Sequence, residues 1–281
     1  AEDCKSFTPG SNPGAASIIN LLSYLEGCFF RRLSMVPFIP KQKANVAIVD
    51  GRANEVIVNS LKELNIKVIK TIKCDELQES ISYHPDIVMH PINHNTLIIA
   101  PNVYDYYEQE LSNLGINLIK GETILGSKYP RDIAYNVGRL NNIAIHNFKY
   151  TDKKLKYYLK MQNLEFININ QGYSKCSLLI VDDVSGITSD VYMYKRLSEI
   201  GYNILLIQPG YIKLYNEIYG FIGGTSGNYD NNTILFTGDF NNHPNSKEIE
   251  TFLQTRNIKS IFLSSSDIID LGTIITLEGN C

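Results

Sequence analysis

Three carboxylates of this 281-residue chain, Asp86, Asp132 and Asp270, each stand just before or at the start of an apolar, strand-like run. Carboxylates gathered in a partly desolvated place repel one another and raise at least one pKa unless a cation joins them, so the three together would suit a cationic ligand. Singly, each has a second reading, because an Asp ahead of a strand often caps a turn by bonding its own backbone. Arg131 adjoins Asp132, either as a bidentate clamp for a ligand carboxylate or as half of a structural ion pair. Cys176 follows Lys175, whose charge would favour the thiolate. The other reading is a buried cysteine acting as a small hydrophobe. Among the 5 cysteines it is the best candidate nucleophile.

Two further groups carry weaker signals. The run Gly220-Phe221-Ile222-Gly223-Gly224-Thr225-Ser226-Gly227 lacks the lysine of a phosphate loop and leads into a strand, so no helix N-terminus follows to hold phosphate. Its glycines are predicted to let backbone approach a ligand or a neighbouring hairpin, with Thr225 among the candidate lining residues. His84 and His90 each precede a proline and would share one face of an uninterrupted strand. With Asp86 they could hold a metal, but a structural hydrogen-bonding role is the preferred reading, and neither a metal nor a cofactor is expected.

These residues need elements to position them, and the chain supplies a repeat. Each unit reads as an amphipathic helix, a Gly or Asn turn, a β-rich run, a polar turn and a two-stranded hairpin. Predicted helices are Asn54 to Leu64, Asp105 to Leu114, Lys153 to Gln162, Tyr192 to Ile200 and Lys247 to Arg256. Predicted hairpins start at Asp86, Asp132, Cys176 and Gly220, recurring at intervals of about 45 residues, a period that marks a repeat architecture. The last strand, Gly272 to Leu277, is expected to be completed by the early strand Val46 to Asp50. A unit of this kind cannot bury its own sheet, so several must pack around an axis with helices outside. A doubly wound open sheet is the alternative, but successive hairpins count against it, since parallel strands need crossovers. Around an axis, Asp86, Asp132 and Asp270 converge.

Composition excludes several classes. A net charge of −3, with 20% charged and 44% hydrophobic residues, leaves no basic surface for nucleic acid or anionic membrane. The longest apolar stretch, about Ala15 to Phe30, is interrupted by Ser23, Tyr24 and Glu26 and falls short of the ~20 residues of a membrane span. Cysteines odd in number, spread out and without zinc spacing read as reduced thiols of a cytoplasmic protein. Residues 1–36 read as a flexible or weakly docked extension, ahead of one domain over residues 37–281.

The runs Ser82 to Asp86, Ala100 to Tyr107, Tyr129 to Asn136, His146 to Asp152 and Gly220 to Gly224 resemble the guanidine-modifying enzyme superfamily, the pentein fold. More narrowly they resemble a bacterial family within it whose reaction the resemblance does not supply. The resemblance implies an α/β fold, a five-bladed ββαβ propeller with pseudo-fivefold symmetry around a polar channel. It places Arg131-Asp132 where many members carry an Arg-Asp or Glu-Asp pair, Phe221 where they carry a histidine, and Thr276 about where they carry the nucleophilic cysteine. The expectation is therefore an acidic pocket for a small cationic or zwitterionic ligand, lined by Asp86, Arg131, Asp132, Lys175, Thr225 and Asp270, without the usual Cys/His pair. The alternative is an amidinohydrolase or amidinotransferase with relocated groups, Cys176 being its nucleophile. The oligomeric state stays open.

Overall fold

The computed structural model describes residues 36–280. The predicted extension, its helix from Ala16 to Leu33, and Cys4, Cys28 and Cys281 thus lie outside the described residues, Val36 excepted.

The described chain opens with β1 (Val46–Val49), α1 (Glu55–Glu63) and β2 (Lys67–Lys70). Next come α2 (Pro85–Val88), β3 (Met89–Asn93), β4 (Thr96–Ile99), α3 (Tyr104–Leu111) and β5 (Asn117–Lys120). The third group is β6 (Gly138–Leu140), β7 (Ile143–His146), α4 (Lys153–Met161) and β8 (Glu165–Asn168). The fourth is α5 (Ser174–Ser177), β9 (Leu178–Ile180), β10 (Ser185–Thr188), α6 (Val191–Glu199) and β11 (Asn203–Leu206). Last come β12 (Ser226–Asp230), β13 (Thr233–Phe236), α7 (Ser246–Gln254), β14 (Lys259–Phe262) and β15 (Ile275–Leu277). They form five 3-stranded sheets, β3-β4-β5, β6-β7-β8, β9-β10-β11, β12-β13-β14 and β15-β1-β2. In every one the first strand pairs antiparallel with the second, and the second parallel with the third. The fifth sheet joins the ends of the domain, with Val46 opposite Leu277, as the sequence predicts.

The repeat has local causes. The helices bury pairs one turn apart: Ile57 and Leu61, Tyr107 and Leu111, Leu155 and Leu159, Met193 and Leu197, Ile249 and Leu253. Residues four apart share a helix face, and each such side chain contributes about 1.5–3 kcal/mol when fully buried. Side chains of Asn54, Asp152 and Asp190 accept from the N–H groups of Ile57, Leu155 and Met193, closing the first turns of α1, α4 and α6. After the helices come left-handed residues, Asn65, Gly115, Asn163, Gly201 and Asn257, which turn the chain into the third strand. Central strands are buried on both faces, whereas third strands alternate or expose their ends.

Apolar clusters span neighbouring sheets. One joins β1, β4 and β7 with α3 and α4, another β7, β9 and α6, a third β10, β13 and α7, and the last β13, β1 and α1. Among the described residues no helix is long and apolar enough to cross a membrane.

One local expectation is corrected. Asp86, Asp132, Cys176 and Gly220 to Thr225 are predicted to open hairpin strands, but Asp86 lies in α2, Asp132 in a turn ahead of β6, Cys176 in α5, and Ile222–Thr225 forms a 3-10 turn. Four residues are too few to show a period, and Pro85 at the first position of α2 is preset for a helical turn. His84 and His90 therefore do not share an uninterrupted strand.

Candidate functional site

The short segments ahead of the first strand in each sheet meet in one buried cluster. Cys176 Sγ lies 3.2 and 3.1 Å from the two carboxylate oxygens of Asp86. Thr273 Oγ1 donates to Asp86 Oδ2 at 2.6 Å and accepts from Lys175 Nζ at 2.9 Å. Lys175 Nζ also donates to the Gly223 carbonyl at 3.1 Å. Asn136 locks the centre from the second sheet: its Nδ2 donates to the Asp86 carbonyl and to Cys176 Sγ, and its Oδ1 accepts from the backbone of Lys175 and Cys176. All five sheets thereby contribute through Asp86, Asn136, Cys176, Gly223 and Thr273.

Backbone conformation holds the fifth contribution in place. Thr273 has a φ of 72°, rare for a β-branched residue, and such a conformation costs roughly 1–2 kcal/mol. Gly272, with a φ of 67°, packs against His84 so closely that a Cβ would fall 2.2 Å from His84 Cβ. Asp270 accepts from the N–H groups of Phe221 and Gly272 at 2.8 and 2.9 Å. A Cβ on Gly224 would stand 1.8 Å from Asp270 Oδ1, so the glycine run admits a carboxylate and the backbone of the neighbouring hairpin.

Electrostatics follows from burial. The Cys176 thiol is pushed well up, first by desolvation and then by Asp86 and Asp270, so at rest it is a protonated donor to Asp86. Lys175 is shifted down by burial, against the pull of Asp86, and Asp270 is shifted up by burial, against His84. His84 is enclosed, with Asp50 Oδ2 3.8 Å from Nε2 and Asp270 Oδ1 4.0 Å from Nδ1. Neither ring nitrogen makes a hydrogen bond.

A cavity of about 340 Å³ opens onto this cluster. His84, Cys176 and Asp270 line it beside the cluster, Ile81, Tyr173 and Phe221 give it apolar surface, and Gln78, Ser80 and the segment from Leu214 to Tyr219, with the Glu217 carboxylate, complete the lining. Asp86 stands behind Cys176 rather than in the wall.

The remaining predicted residues are placed as follows. Asp132 is buried and accepts from Tyr173 OH at 2.6 Å, its other oxygen having no partner. Burial shifts its pKa upward. Arg131 is exposed and lies against Gly126 without pairing to Asp132. Thr225 donates to the Ile222 carbonyl at 2.7 Å, away from the cavity wall. Lys175 sits over the Phe38 ring, with Nζ 5.2 Å from its centroid. Phe221 lines the cavity, whereas Thr276 donates to the Asn228 carbonyl within the sheet region. Cys74 stands apart, bonded to Glu76, its thiol pushed up to about 12 chiefly by burial.

Sequence reasoning placed His84 with Asp86 only as a possible metal pair, and missed Asn136, Tyr173 and Thr273 as parts of one site. His84 and Asn136 fall within runs that carry the family resemblance, but the contacts of Asn136 and Thr273 are made between sheets and leave no local pattern.

Five hairpin, helix and strand units contributing to one buried polar cluster give a pentein-like α/β fold, and the solved structure of one such enzyme agrees. An agmatine deiminase of C. jejuni superposes with a TM-score of 0.50 at 11% identity, over 82% of this chain and 90% of that one. A substrate-bound variant of the same enzyme gives the same figures. An amidinotransferase of Microseira wollei matches with a TM-score of 0.48 at 12% identity, over 83% and 92% of the two chains. The chain belongs to the family of unknown function DUF6873, whose model matches residues 48–275. No curated protein sequence matches it at a significant level.

Proposed function

We propose that the cavity binds a small molecule through a planar cationic group of the guanidinium or amidinium class. Asp270 faces that group, Asp86 adds negative charge behind Cys176, and Tyr173 and Phe221 flank the apolar part. The observation that carries the reading is the pair of buried carboxylates, Asp86 and Asp270, with one thiol at the end of a cavity, where the Lys175 ammonium reaches Asp86 only through the Thr273 hydroxyl. The same reading takes the five units as blades of a propeller around one polar centre. It is supported by the contribution of every sheet to the cluster, and by apolar clusters that lead from sheet to sheet back to β1. Agmatine, named for the C. jejuni enzyme, is the natural first probe. The buried free thiols of Cys74 and Cys176 go with a reducing, cytoplasmic compartment.

Thermal unfolding of the full chain tests the proposal with agmatine, arginine, methylated arginines and neutral citrulline. A ligand at a hundred times its Kd adds about 2.7 kcal/mol, which for a domain of this size moves Tm by roughly 5–10 °C. Cationic compounds are expected to raise Tm and citrulline to leave it unchanged. No shift with any cationic compound would end this reading.

A second reading, favoured by the contact of Cys176 with both Asp86 oxygens, makes the same pocket catalytic. Cys176 Sγ would attack the ligand's central carbon as its proton passes to Asp86. The tetrahedral adduct would expel ammonia or an amine carrying that proton, and water would release the product from sulfur. Ammonia or amine release lost in Cys176→Ala but kept in Cys281→Ala supports it. Release from neither protein nor wild type leaves a binding pocket alone.

A further inference from the structure

We infer that His84, Asp86 and Cys176 form a binding site for a thiophilic divalent ion, Zn²⁺ in the first instance, at the inner end of the cavity. An imidazole, a carboxylate and a thiol each offer one donor atom there, and all these atoms lie within 4.8 Å of one another. Bonds of about 2.0–2.3 Å in a tetrahedral zinc site imply donors about 3.3–3.8 Å apart. The thiol and carboxylate, at 3.1–3.2 Å, already stand near that spacing. The imidazole is the third donor, its nitrogen within 4.8 Å of the other two atoms.

The imidazole supplies the independent observation. Both nitrogens of His84 are buried without a hydrogen bond, although buried polar groups are nearly always satisfied and an unsatisfied one costs about 1–3 kcal/mol. A bound ion satisfies one nitrogen. For the other, a carboxylate stands ready on either side, Asp50 at 3.8 Å and Asp270 at 4.0 Å, the arrangement that fixes the tautomer of metal-bound histidines. Asn136 holds the sulfur, and Gly272 blocks retreat of His84.

Charge and access agree. Against Asp86, Asp270 and a thiolate stands Lys175 as the nearby cation, so a dication balances the cluster. His84 and Cys176 both line the cavity, leaving a fourth position open toward it. A thiol with an imidazole and one carboxylate selects Zn²⁺ over Mg²⁺ or Ca²⁺. Binding exchanges the Cys176 proton for the ion and releases that proton to solvent. The site shares the cavity of the proposed function but does not rest on that reading. Because both need Cys176 and Asp86, the ion and a guanidinium ligand exclude each other.

The test uses the whole 281-residue chain. Dialysis against Zn²⁺ is expected to leave one ion per chain at this site. Co²⁺ in its place should give a thiolate-to-cobalt absorption band that vanishes in Cys176→Ser, persists in Cys74→Ser and Cys281→Ser, and needs at least tenfold more Co²⁺ in His84→Ala. On the unaltered protein, Zn²⁺ should slow iodoacetamide alkylation of Cys176 at least tenfold, with EDTA restoring it. Absence of the band, its persistence in Cys176→Ser, or unchanged alkylation of Cys176 would overturn the inference. Ligand shifts measured in EDTA test the guanidinium reading separately, so either can fail alone.

Discussion

Replacing Asp86 by Asn should make Cys176 more reactive while any turnover falls. The thiol stands 3.1 Å from the nearer carboxylate oxygen, so forming a thiolate there sets two negative charges side by side. At an effective dielectric of about 20, that repulsion is about 5 kcal/mol, a ceiling because Lys175, one hydroxyl away, offsets part of it. Even a third of it corresponds to more than a tenfold gain in thiolate at fixed pH. Desolvation, the largest influence on this thiol, and Asp270 remain in the variant, so Cys176 stays harder to ionise than a free cysteine. The assay is the iodoacetamide rate at Cys176 by peptide mass analysis at pH 8, divided by that at Cys74. Cys74 is buried away from the cluster and corrects for any general loosening of the fold. The expected ratio rises at least tenfold in Asp86→Asn. An unchanged or lower ratio with an intact circular dichroism spectrum would refute the electrostatic account. A lower ratio would instead mean that Asp86 draws the proton from sulfur in the resting protein.

Three other substitutions probe the frame around this centre. Asp132→Asn should raise Tm at neutral pH. Burial lifts this carboxyl's pKa in the fold, so the wild type loses stability as pH rises through the raised value, while the amide does not titrate. The difference should therefore shrink as the solution is acidified, and a difference independent of pH would contradict the argument. Gly224→Ala forces Asp270 from its backbone donors and should cost about 1–3 kcal/mol in urea unfolding and abolish ligand-induced shifts. An unaltered unfolding midpoint would show that Asp270 moves freely. Thr273→Val keeps the left-handed strain and deletes the hydroxyl between Lys175 and Asp86, which should cost on the order of 2 kcal/mol. Thr273→Gly relieves the strain as it removes the same hydroxyl and should be at least about 1 kcal/mol more stable than the valine variant. Equal stabilities would mean that the φ of Thr273 stores little.

What could be read from the sequence divides by the distance over which each feature is decided. Helix faces such as Ile249 and Leu253, the start of α1 at Asn54, and the Asn turns after the helices at Asn65 and Asn163 are settled within one turn, so composition and spacing reveal them. The closing of β15 on β1 needed the whole repeat, because only its register leaves those two strands unmatched. Asp86, Asp132 and Asp270 are grouped on the same grounds, each preceding the first strand of its unit, and Asp86 and Asp270 do stand beside Cys176, whereas Asp132 bonds Tyr173 instead. Contacts inside the cluster obey no period. Arg131 and Asp132 are adjacent in sequence, yet one side chain is exposed and the other buried, so adjacency promised a pair that the backbone separates. Thr273 shows the opposite case. Nothing in its neighbours announces a left-handed threonine, because that conformation is enforced by Gly224, Asp86 and Lys175 from other units. A strained residue held by three separate sheets relaxes unless all three are in register. The centre is therefore specified by the assembled repeat rather than by any one unit, and damage to one unit should be felt first at Thr273 and Cys176.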